Sequence, residues 1–144
     1  MNLSDHFTLD ELTFSEIALR NNLPNAPTDI EIGNLTRLAN MLEKVRALFA
    51  LPIHINSAYR SVIVNKLVGG QPTSQHCNGC AADIRIGTLT PDQIVQKIVH
   101  SDIQYDQLIR EFDSWVHISI PNAEGYVARK QVLIIDKNGT RSYA

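Results

Sequence analysis

The residues able to do chemistry fall in two short stretches. In eight consecutive positions, His76-Cys77-Asn78-Gly79-Cys80-Ala81-Ala82-Asp83 holds a histidine, two cysteines and an aspartate. Imidazole nitrogen, thiolate and carboxylate are the standard zinc ligands. A second stretch, Glu111-Phe112-Asp113-Ser114-Trp115-Val116-His117, adds a histidine in a strand-like setting. Asp83 is the more telling residue of the first stretch. It sits in the apolar run Ala81–Ile86, where a carboxylate is costly to bury unless paired or coordinated. His76 lies in a polar loop, where a histidine is ordinarily just exposed, but Gly79 permits a tight bend that could converge it on Asp83. His117 would share a strand face with Trp115 and Ser119; the alternative is a hydrogen-bonded core histidine. Two histidines and one aspartate leave one tetrahedral position open for water, the mark of a catalytic rather than a structural zinc site.

The cysteines fit less well. A closed zinc site needs four ligands, the chain has no second cysteine pair, and His6, His54 and His100 stand at no finger-like spacing. The Cys77-x-x-Cys80 pair precedes a strand instead of opening a helix, against a thioredoxin-like role. Both are expected as partly buried loop residues able to pair opportunistically.

Several elements must position these groups. Thr8 and Glu11 read as a capping box opening a helix that turns Leu9, Leu12 and Ile17 inward. Leu35, Leu38, Leu42, Val45 and Phe49 recur at helical spacing between about 28 and 50, with Arg37, Glu43, Lys44 and Arg46 on a solvent face. Ile53–Ser57 alternates as a strand, Ser61–Val68 reads as a short helix stopped by Gly69-Gly70, and Ala81–Ile86 as a second strand. Thr90, Pro91 and Gln93 open a helix to about His100 that buries Ile94, Val95 and Ile98. Tyr105–Phe112 and Trp115–Ile120 are strands separated by Asp113-Ser114, a hairpin spacing, and Gln131–Asp136 begins a terminal hairpin turning at Asn138-Gly139. Short strands mixed with helices, without a β-α-β rhythm, predict an α+β fold with a small, mainly antiparallel sheet.

Composition sets outer bounds. A chain of 144 residues with 44% apolar and 19% charged residues is expected to form one folded domain over 1–144. A formal charge of −2 without basic runs predicts no nucleic-acid binding. No apolar run approaches a bilayer span, and the N-terminus Met1–Leu12 lacks the pattern of a secretory signal, so a cytoplasmic chain without stable membrane insertion is expected.

The segments Ser57-Ala58-Tyr59-Arg60-Ser61, Gly69-Gly70, Ser74-x-His76-x-x-Gly79-x-Ala81-x-Asp83 and Trp115-Val116-His117 together resemble the zinc D-alanyl-D-alanine peptidases, peptidase family M15. The likeness is closest to the short single-domain branch common in bacteriophages and prophages, and spans roughly residues 7–121. It implies a hedgehog/DD-peptidase-like fold, Zn2+ held by His76, Asp83 and His117, and hydrolysis of peptidoglycan stem peptides by a carboxypeptidase or endopeptidase. A monomeric phage endolysin, reaching the wall after release from the cytoplasm, fits that picture. The resemblance makes Arg60 the anchor for a substrate carboxylate or carbonyl and sets Ser74 and Gln75 along the site. Tyr59 and Trp115 are expected to flank the groove, with packing as their alternative role.

One position departs from better-known members, which carry an acid three residues before the last zinc histidine; here that residue is Ser114. Glu111 and Asp113 are the nearby acids, and Glu111 is the expected general base because a hairpin would place it on the His117 face, with Asp113 at the exposed tip. The missing acid also motivates the alternative of a non-catalytic, zinc-containing wall-binding or phage structural domain.

Overall fold

Side-chain caps start each helix of the computed structural model, which describes residues 1–143. Thr8 Oγ1 accepts from Glu11 N ahead of α1 (Leu9–Thr13), Ser15 Oγ from Ala18 N ahead of α2 (Glu16–Arg20), and Thr28 closes a capping box with Glu31 on α3 (Asp29–Phe49). The expected first helix is therefore two short ones, parted at Phe14-Ser15, and the Thr8 cap is only half of a capping box. The chain continues through β1 (Ile53–Ser57), α4 (Val62–Leu67), a 3-10 turn (Gln75–Asn78), β2 (Ala81–Ile86) and α5 (Pro91–Val99). It ends in β3 (Gln107–Glu111), β4 (Trp115–Ser119), β5 (Gln131–Asp136) and β6 (Gly139–Ser142).

The strands form one six-stranded sheet in the order β1-β2-β4-β3-β5-β6, antiparallel except for the parallel pair β3–β5. That parallel pairing attaches the terminal hairpin to the sheet. Strand alternation divides the sheet into two faces. Ile84, Ile86, Leu108, Val116 and Ile118 point to the core, where they pack with Leu35, Leu38, Leu42 and Val45 of α3 and Ile94, Val95 and Ile98 of α5. The opposite face carries Asp83, Ile109, Glu111, Trp115 and His117 and forms the floor of a cleft. No helix among the described residues is long and apolar enough to cross a membrane.

Two charges expected on the solvent face of α3 instead tie the fold together. Glu43 accepts from Ser4 Oγ at 2.6 Å and faces His6 Nδ1 at 2.7 Å. Arg37 Nη2 donates to Pro121 O at 3.1 Å, joining α3 to the end of β4. The connection between Glu111 and Trp115 is a three-residue loop, Phe112-Asp113-Ser114, not a two-residue turn, and both Phe112 and Asp113 take positive φ.

Gly79 ends the 3-10 turn in the left-handed region, φ +76°. A Cβ there would lie 2.8 Å from Glu31 O and 3.0 Å from Leu35 Cγ, so the turn rests directly on α3. Substituting Gly79→Ala is expected to destabilise the protein by about 1–3 kcal/mol, from left-handed strain together with a backbone clash. Urea unfolding checks this, and an unchanged midpoint would show that the turn can lift away from α3.

Candidate metal centre and cleft

Three elements deliver the three residues that could hold a metal ion. The antiparallel pairing of β2 with β4 sets Asp83 opposite His117. The register between β1 and β2 shifts by one residue between Ile55 and Ser57, a bulge that brings Ser57 opposite Asp83. Bulges re-aim strands in this way beside functional sites, and this one directs the chain into Ala58, whose carbonyl holds His76. The 3-10 turn carries His76, with Ser74 Oγ accepting from His76 N at 3.2 Å and Asn34 Nδ2 of α3 donating to Asn78 O at 2.9 Å.

His76 Nδ1 lies 2.6 Å from Ala58 O. A carbonyl can only accept, so Nδ1 carries the proton and Nε2 presents a lone pair. That Nε2 faces Asp83 Oδ1 at 3.4 Å, and His117 Nδ1 lies 3.1 Å from the same oxygen. The donor atoms of His76, Asp83 and His117 all lie within 4.8 Å of one another. Burial disfavours protonated His76 and pulls its pKa down. Burial also pushes the Asp83 carboxyl up, but the two histidines beside it outweigh that and hold it well below the usual carboxylate range. A neutral imidazole and an ionised carboxylate are the ligating forms, and two lone pairs pointing at each other are reconciled by a cation between them. This donor set fits zinc, with the hydrogen bond on the far nitrogen of His76 fixing its tautomer.

Glu111 lies opposite Trp115 on the same sheet face as His117. Burial, reinforced by the Asp83 charge, raises its pKa. Arg60 enters from the wall that follows β1; its main-chain N–H donates to His76 O at 3.1 Å and its Nη2 reaches Ser74 Oγ at 3.5 Å. Ser74, Gln75 and Trp115 line the same cleft, whose volume is about 750 Å3, within the ordinary range for ligand sites. Tyr59 does not flank it: the ring is 5% exposed and packs in the core, because its backbone N–H is fastened to Leu12 O at 2.9 Å. Asp113 is exposed and bound by Arg110 Nε at 2.6 Å, and Arg110 points to the other side of the sheet from Glu111. Ser114 Oγ turns back to Phe112 O. Cys80 is fully buried and Cys77 half-buried, both as free thiols.

The cleft also contains residues that sequence reading passed over: Gln107 and Ile109 of β3, and Asn122, Arg129 and Ile135 from the last part of the chain. The available signal was Asp106. Like Asp83 it is an acid at an apolar strand, and its burial at 5% exposure calls for a partner. That partner is Arg129.

A mixed α+β domain that gathers a His–Asp–His group, with a carboxylate beside it in an open cleft, has the makings of a metal-dependent hydrolase. The sequence profile of the peptidase M15 family matches residues 5–119, and the chain belongs to that family. Comparison with curated proteins gives no match.

His76→Ala and His117→Ala are each expected to abolish tight Zn2+ binding, read by calorimetry on the purified chain, whereas Cys77→Ser should leave it unchanged; retention of tight binding in either histidine variant contradicts the ligand set. In the metal-free protein the Glu111 carboxyl should titrate above an ordinary glutamate, followed by NMR. A dication placed among the ligands favours the ionised form, so the midpoint should then move down. A Glu111 titration indifferent to Zn2+ would place the carboxylate away from the metal.

Proposed function

We propose that the protein is a zinc peptidase that cleaves peptide bonds in the stem peptides of bacterial peptidoglycan. The observation that carries this reading is the Glu111 carboxylate on the same sheet face as Asp83 and His117, in the cleft that His76 of the 3-10 turn also lines. Zn2+ on those three ligands supplies Lewis-acid polarisation of the scissile carbonyl and makes the attacking water more acidic. Glu111 accepts the proton of that water on its carboxylate and passes it to the leaving amine. Its half-buried position keeps competing solvent from the carboxylate, and the raised pKa makes it a stronger base than an exposed glutamate.

A peptide is the substrate class supported by the polar atoms of the cleft. Arg60 Nε and Gln75 Oε1 are buried without a protein hydrogen-bond partner among the described residues, and both side chains line the cleft. Buried polar groups are nearly always paired, so an unspent donor and an unspent acceptor around one cleft suit a ligand bearing both acceptors and donors. Arg60 is matched to a carboxylate or carbonyl oxygen, which its planar fork engages as lysine cannot. The preference for peptidoglycan follows from the likeness of the Ser57–Asp83 and Trp115–His117 motifs to D-alanyl-D-alanine peptidases. Lining residues lie on both sides of the ligand group, from Gly69-Gly70 to Arg129 and Ile135, which supports cleavage within a stem peptide as well as at its end.

Glu111→Gln is expected to retain zinc while losing about 10²–10⁴-fold in turnover, the usual contribution of a positioned base. Incubating purified sacculi with the zinc-loaded protein and its variant, and identifying the released fragments by mass spectrometry, reads both the turnover and the bond cleaved. Bound zinc with no fragments from the unmodified protein would favour the non-catalytic wall-binding alternative, and near-normal turnover in the variant would remove Glu111 as the base.

A further inference from the structure

Residues 120–143 lie beyond the family match, yet Asn122, Arg129 and Ile135 line the cleft. Arg129 is the most constrained of them. Its backbone N and its Nε donate to Asp106 Oδ1, each at 3.1 Å, and its Nη2 donates to Oδ2 at 2.7 Å. Gln75 Nε2 donates to the same carboxylate at 3.2 Å. A nearly buried carboxylate is thus occupied by one guanidinium, with the Gln75 amide as its other side-chain donor. The Arg129 side chain itself stays 55% exposed, and its Nη1 has no protein acceptor among the described residues. An arginine oriented from behind by a buried acid presents its outer edge as a rigid donor, the geometry that suits a carboxylate.

Its position matters as much as its orientation. Arg60 follows the edge strand β1, Arg129 precedes β5, and the sheet order sets β2 and β4, with Asp83 and His117, between them. The two arginines therefore flank the metal ligands from opposite sides. Asp83 and Glu111 are the carboxylates lining the cleft, with Asp106 behind Arg129. A bound divalent cation leaves this cleft net positive even when Asp106 is counted, on a chain of formal charge −2. Beyond Arg129 a shallower hollow of about 310 Å3 continues between Pro121, Tyr126 and Val127, so a bound chain has room to pass the guanidinium.

We infer that Arg129 is a specificity-determining residue that binds a free carboxylate carried by the substrate on the side of the scissile bond away from Arg60. This deepens the reading of the cleft as a peptidase site and rests on it. The substrate it selects is a peptide with two free carboxylates, one for each arginine.

The test uses the full-length zinc-loaded protein in a Glu111→Gln background, so that the peptide survives. The probes are the stem tetrapeptide L-Ala-γ-D-Glu-L-Lys-D-Ala and the same peptide with the α-carboxylate of its D-Glu amidated, their affinities measured by calorimetry. Amidation should weaken binding about tenfold or more, the scale of a charged hydrogen bond. In Arg129→Gln the two forms should bind within about twofold of each other. Arg129→Lys keeps a cation against Asp106, so a purely structural role for Arg129 predicts full discrimination in that variant, whereas a carboxylate fork predicts most of it lost. Discrimination retained in Arg129→Gln or fully in Arg129→Lys, absent from the Arg129 parent, or no binding of either peptide would each overturn the inference. Absence of sacculus cleavage by the unmodified protein, with discrimination intact, would instead remove the peptidase reading and leave the carboxylate site standing.

Discussion

The hydrogen bond from His76 Nδ1 to Ala58 O, 2.6 Å long, is the constraint on which the site depends. It settles which nitrogen of His76 carries the proton, and so which presents a lone pair to Asp83. Without it the ring could rotate, or donate from Nε2 and close a simple ion pair with the carboxylate. With it, a lone pair and a carboxylate oxygen confront each other, with His117 on the same oxygen. Such a cluster is poorly satisfied by protein alone. The folded chain maintains it because each contributing segment is held by unrelated contacts.

Those contacts explain much of the remaining architecture. Ala58 is where it is because β1 bulges before Ser57 and because Tyr59 is buried and bound to α1. The 3-10 turn is pressed against α3 by the absence of a side chain at Gly79 and fastened by Asn34, while Arg37 links the same helix to Pro121 after β4. Helix α3 thus serves as a common base for the segment carrying His76 and for the end of the strand carrying His117. The core face of the sheet, packed by α3 and α5, leaves the other face for chemistry.

The sequence exposed the parts whose cause is local. Capping residues, the spacing of Leu35 to Phe49 and the alternation of Ile53–Ser57 each report their own element, and an acid in the apolar run Ala81–Ile86 pointed to coordination. Interactions between distant segments were harder to see. Arg37 and Glu43 are indistinguishable by pattern from solvent-facing charges, yet they bind residues far away in the chain. Tyr59 sits beside Arg60 in the motif, but one residue of strand-like chain reverses the direction of a side chain, and the ring went to the core. The parallel docking of β5 on β3, which carries Arg129 and Ile135 to the cleft, has no local signature. Only the unexplained acid Asp106 hinted at it.

The central claim is that one zinc ion is held by His76, Asp83 and His117, with both cysteines outside its coordination sphere. X-ray absorption spectroscopy of the zinc-loaded protein tests it most directly. The structure predicts a first shell of nitrogen and oxygen only, at about 2.0–2.2 Å, with the multiple-scattering signature of two imidazoles. A sulfur shell at about 2.3 Å, or a spectrum with a single imidazole, would contradict it.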